Sequence, residues 1–209
     1  MWLTIGLLAF ATALSFGSET ARVGAQSQAH LRISNPAALD PERADAIYEA
    51  IRQRMSEHYA ESGDPLARSY QRWSRLNDAP YRSAAHGDVF VNNYANASAA
   101  PGYAARDRAT PFPADAVIVK DSFMVTGDGQ VLTGPLYIIE MHSGGGARAD
   151  AAWRFLEITQ DGVLIGAAAD DRRTDFCAAC HFKAKGRAAP FFYVPAGNER
   201  RRDPAAPDG

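Results

Sequence analysis

Two cysteines in 209 residues are too few for a scaffold held by several disulfides. Basic and acidic residues nearly balance, 22 against 24, and leave a net charge of only -2. No polybasic face is implied, and nucleic acid is not expected as a partner. After the first residues no run is long and apolar enough to cross a bilayer. No internal repeat is visible. What is present is a 46% apolar chain with 22% charged residues, the balance of one folded domain with a core.

The one long apolar run is at the start. Trp2 to Gly17 carries no charge, and Val23-Gly24-Ala25 places small residues where a signal peptidase cuts. Residues 1–25 read as a secretory signal, although no Lys or Arg precedes the apolar run. An uncleaved anchor is the alternative, and the run is shorter than the ~20 residues a spanning helix needs. An exported, periplasmic chain in an oxidising compartment is the expectation.

Residues 26–39 read as a flexible lead-in. Asp40-Pro41 then opens a helix, with Asp40 as cap and Pro41 in the first turn. Ala44, Ile47, Tyr48, Ile51, Met55 and Tyr59 give it one apolar face. Asp64-Pro65 repeats the start signal, and Leu66, Tyr70, Trp73 and Leu76 predict a second helix. Strands are expected at Val89–Val91, from Ala116 to Val125, and from Val131. Further strands are expected over 135–142, 152–159 and 163–166, with Asp128-Gly129 and Asp161-Gly162 as turns. Residues 95–114 read as an irregular connection, and 196–209 as a disordered tail. The class is α+β: two N-terminal helices, a mainly antiparallel sheet, then a C-terminal cysteine segment.

That segment, Cys177-Ala178-Ala179-Cys180-His181, is C-x-x-C-H, the spacing of c-type haem attachment. Two thiols on one helical turn reach the two vinyl groups on one porphyrin edge. The imidazole after them then lies under the iron. A structural zinc would want four ligands, and His30, His58, His86 and His142 are scattered. A thioredoxin-like pair would want a helix start inside a βαβ unit. A plain disulfide is the third alternative. Export favours haem c, because bacterial c-type haems are attached after export. Cys177 and Cys180 are therefore assigned the thioethers and His181 the proximal iron bond. Met124, Met141, His86 and His142 are the candidates for the sixth position. Lys120 closes the apolar run Ala116–Val119, where a lysine must snorkel, pair with an acid such as Asp121, or serve a specific purpose.

Several stretches resemble the cytochrome P460 family, which includes the cytochromes c′-beta. They are Trp73 to Tyr81 (WSRLNDAPY), His86 to Asn96, Phe112 to Ser122 (FPADAVIVKDS), Gly134-Pro135-Leu136-Tyr137, Trp153 and the late Cys177–His181 motif. They span about residues 40 to 194, and residues 40–195 are expected to form the haem c domain. The resemblance implies a homodimer with one haem c per chain, His181 proximal, an open distal side and a redox partner protein. In the P460 branch a strand lysine is joined to the porphyrin edge, and Lys120 falls there. That branch oxidises hydroxylamine; the c′-beta branch binds nitric oxide or carbon monoxide over an apolar distal face. The family's distal arginine has no counterpart at His86-Gly87-Asp88. Glu140 is the candidate for its distal carboxylate. By strand parity Tyr137, Ile139 and Met141 share one face, and Leu136, Ile138, Glu140 and His142 the other. The expected function is oxidoreduction of a small nitrogen species, with Lys120, Glu140 and His86 as catalytic candidates. A non-enzymatic gas-binding protein and an electron carrier are the alternatives.

Overall fold

The structure, a computed structural model, describes residues 31–34, 39–106, 112–141, 153–167, 172–183 and 193–200. The signal, His30, His142 and residues 201–209 lie outside them. Its first helix, α1, runs Pro41–Ala60. The Asp40 carboxylate accepts from the Arg43 N–H at 2.8 Å, which satisfies one orphan donor of the first turn. The six residues of the predicted stripe are all buried.

The expected second helix is not formed. Leu66 to Trp73 makes turns with one short 3-10 stretch at Tyr70–Arg72, and Ser74–Arg75 then becomes strand β1. The sheet edge offers Ser74 and Arg75 partners in Ala95 and Tyr94, and the chain takes them in place of a helix. Strand β2 is Tyr81–Ser83 and β3 is Val89–Ala95, longer than expected. The connection after it holds a six-residue helix, α2, Ala100–Ala105, anchored by buried Tyr103. Strands β4 (Val117–Val125), β5 (Val131–Thr133), β6 (Leu136–Met141), β7 (Trp153–Ile158) and β8 (Leu164–Ile165) follow the expected positions. Helix α3, Asp175–Phe182, carries the cysteines.

The eight strands form one antiparallel sheet in the order β1-β3-β4-β6-β7-β8, with β2 on β3 and β5 on β4. One face packs on α1 through Phe90, Tyr94, Val117, Val119, Phe123, Leu136, Ile138 and Leu156. The other packs on α2 and α3 through Ile118, Ile139, Trp153 and Phe155. Both faces of β4 are covered, which accounts for its unbroken apolar run. Part of the lead-in pairs with the β4–β5 hairpin, where the Ile33 N–H donates to the Gly129 carbonyl at 2.6 Å. The start of the tail is also held: the Arg200 N–H donates to the Leu76 carbonyl at 3.0 Å.

Candidate functional site

Strand parity decides what can meet on the α3 side of the sheet. The register sets Lys120 opposite Tyr137 and Tyr137 opposite Glu157, while Ile118, Ile139 and Phe155 form the next row. Helix α3 lies over these rows. Between them is a cleft of about 130 Å³, partly open to solvent. Its lining includes Cys177, Cys180 and His181 from α3, Lys120 from β4, and His86 from the turn before β3. Residues distant in sequence are thus gathered at one place.

The two thiols differ. Cys180 is exposed and Cys177 half-buried. Burial first, and then the nearby Glu157 carboxylate, push the Cys177 thiol up to about 11. His181 is buried, with its ring centre 5.3 Å from that of Phe155.

Lys120 is 6% exposed. Burial pushes its ammonium down to about 8, while Cys180 acts in the opposite direction. It does not pair with Asp121, which points to the α1 face. There Asp121 accepts from Tyr48 at 2.7 Å, Tyr70 at 3.0 Å and Asn92 at 3.0 Å. Lys120 also does not snorkel to the surface; it turns into the cleft.

His86 sits in the turn Ala84–His86 and stacks on Tyr137 with ring centres 4.6 Å apart. Burial, and then Lys120 and His181, lower its imidazole to about 3, so it is neutral at physiological pH. Its Nδ1 lies 2.7 Å from Ser83 Oγ, which fixes the ring orientation.

Glu140 is not in the cleft. It lies on the α1 side of β6 by parity, and its carboxylate accepts from Arg154 at 2.5 Å. Met141 has the cleft-side parity but packs in the cluster with Trp153, and Met124 does not line the cleft. The sequence reading missed Glu157 and Tyr137 as neighbours of the thiols. Glu157 is half-buried, and burial holds its carboxyl above the usual range. It shares a strand face with Trp153 and Phe155, a two-residue alternation that was readable in the sequence.

The donor set fits a covalently held haem. Both thiols and the imidazole come from one short helix, and the opposite wall is largely aliphatic and aromatic. Among the described residues no group of three or more His, Cys, Asp or Glu is placed to hold a bare metal ion. No family model and no curated protein matches the chain.

Proposed function

We propose that the protein is an exported mono-haem c cytochrome of P460 type, acting as an oxidoreductase on a small nitrogen species such as hydroxylamine or nitric oxide. One observation carries this: the C-x-x-C-H helix, Lys120 and His86 line a single cleft. Helix α3 is then the C-terminal haem-attachment segment. Cys177 and Cys180 would hold the porphyrin edge, and His181 would bind the iron from below. When bound, the haem supplies a redox iron that takes a small ligand and accepts its electrons. Lys120, buried and turned inward, is placed to contact the porphyrin edge. His86, a neutral imidazole, can accept a hydrogen bond from a ligand in the cleft. The catalytic carboxylate role expected of Glu140 has no geometric support. By the same reading the protein is periplasmic, forms a homodimer and passes electrons to a redox partner protein.

The apolar wall of Ile118, Ile139 and Phe155 favours a second reading, a binder of nitric oxide or carbon monoxide without turnover. Production in a host that matures c-type cytochromes tests both. A coloured protein that keeps its haem on a denaturing gel is expected, and Cys177→Ala with Cys180→Ala should abolish retention. Turnover of hydroxylamine then supports the enzyme; tight gas binding without turnover supports the second reading. Peptide mapping adds a check: loss of the unmodified Lys120 peptide is expected for the enzyme, and its recovery at full yield for the binder.

A further inference from the structure

The ring centres of His86 and His181 are 6.4 Å apart, with their planes at 62°. Two imidazoles on opposite sides of one metal have a characteristic spacing. Each metal–nitrogen bond is about 2 Å, and each nitrogen lies about 1.2 Å from its ring centre, so the centres fall roughly 6–7 Å apart. The observed separation matches. We propose that His86 is the second axial ligand of the resting protein, an internal cap on the sixth position that an incoming small ligand displaces. This rests on the haem reading of the cleft.

Two further features support it. First, Ser83 Oγ engages His86 Nδ1 and leaves Nε2 as the coordinating nitrogen, the arrangement usual for metal-bound imidazoles. Second, the turn that carries His86 lies at the surface, with exposed residues on both sides of the histidine. Gly87 and Asp88 follow at φ 80° and 62°, and a side chain at Gly87 would meet nothing within 4 Å. Ala84 and Ala85 before it are small and exposed. The exchange would involve no oxidation or reduction: the bond from Nε2 to the iron would break, the ligand's lone pair would take its place, and the displaced imidazole would stay beside the new ligand. A ligand must compete with the cap, so its apparent affinity is reduced by the open fraction.

The test uses the intact haem-loaded protein. The ferric wild type is expected to be low-spin, with a bis-imidazole signature in low-temperature electron paramagnetic resonance. His86→Ala should become high-spin, and added imidazole should restore the low-spin signal. Carbon monoxide binding to the ferrous protein should tighten at least tenfold in the variant. His86→Phe, which keeps the volume filled, should also be high-spin. A haem-loaded wild type that is already high-spin overturns the proposal, even if the variants do not fold. So does a low-spin signal that survives in both variants. A wild type with no covalent haem overturns the haem reading itself, and is told apart by the absence of haem stain on a denaturing gel.

Discussion

Lys120 and Asp121 are consecutive in β4 and are buried on opposite faces of the sheet, so the two charges never meet as an ion pair. The lysine serves the cleft. The aspartate is the hub of a polar cluster under α1, with Tyr48, Tyr70 and Asn92 as donors. Tyr48 is also hydrogen-bonded to Tyr94. The cluster ties α1 and the Tyr70 turn to the middle strand.

Asp121→Ala should therefore be severe. It strands three buried donors, and breaking such a network costs about 3–5 kcal/mol. Asp121→Asn keeps the shape and one acceptor oxygen, and should cost less than half as much. Urea unfolding of the two variants at neutral pH checks the ranking. Equal losses would show that the full carboxylate, not the filled volume or a single acceptor oxygen, is what matters at this position.

Lys120 makes the fold pH-dependent in the alkaline range. Its pKa falls from 10.5 to about 8 on folding. Between these values the unfolded chain holds more protons than the native one, so stability rises as pH climbs through that window. Below pH 8 both states carry the proton, and the burial cost is present in full, roughly 3 kcal/mol from the shift. Lys120→Met should stabilise the haem-free protein at pH 7 by up to that amount and flatten the rise between pH 8 and 10. Thermal unfolding across that range reads both effects. A less stable Met variant would show that the ammonium has a favourable partner.

The parts of this fold that were legible in the sequence were those in which pattern and packing agree. Asp40-Pro41 and the stripe from Ala44 to Tyr59 specify α1, because cap, proline and apolar period coincide. Leu66, Tyr70, Trp73 and Leu76 have helical spacing too, yet Tyr70 is drawn to Asp121 and Ser74–Arg75 to the β3 edge. Those contacts are long-range and leave no local mark. The cysteine motif was legible because its chemistry is local. The cleft around it was not: Lys120 and His86 reach it only through the sheet register. Parity had narrowed Glu140 to one of two faces, and only the packing of α3 selects between them.

That selection has a chemical consequence in the haem-free protein. Glu157 is near Cys177, and Glu140 is paired with Arg154 on the other side. Alkylation follows the thiolate. Exposed Cys180 should react at least tenfold faster than Cys177 at pH 8. Glu157→Gln should speed Cys177 by lowering its pKa, and Glu140→Gln should leave both rates unchanged and cost under about 1 kcal/mol. Mass mapping of timed alkylation measures the rates of both thiols in all three proteins. Acceleration by Glu140→Gln would place that carboxylate on the wrong face in this account.

The position of α3 against the sheet depends on Gly166, just after β8. Its φ is 81°, and a Cβ there would lie 2.4 Å from the Phe155 carbonyl oxygen and 2.7 Å from the Thr174 side chain. Phe155 is a wall of the cleft, and buried Thr174 is the residue from which α3 starts. Gly166→Ala must therefore push the wall and the cysteine helix apart. Strain and overpacking together should cost about 2–4 kcal/mol. Gly63 is the control. Its φ is 80°, but nothing lies within 4 Å of its added Cβ, so Gly63→Ala has the backbone strain without the clash. Gly63→Ala should cost about 1 kcal/mol and leave haem attachment intact. Gly166→Ala should lose most of its covalent haem even at a temperature where the protein stays folded, because the thiols and His181 move as one body away from Lys120 and His86. Circular dichroism and haem staining of the same samples separate the two effects. Full haem loading in folded Gly166→Ala would mean that the attachment helix does not need its seat on β7.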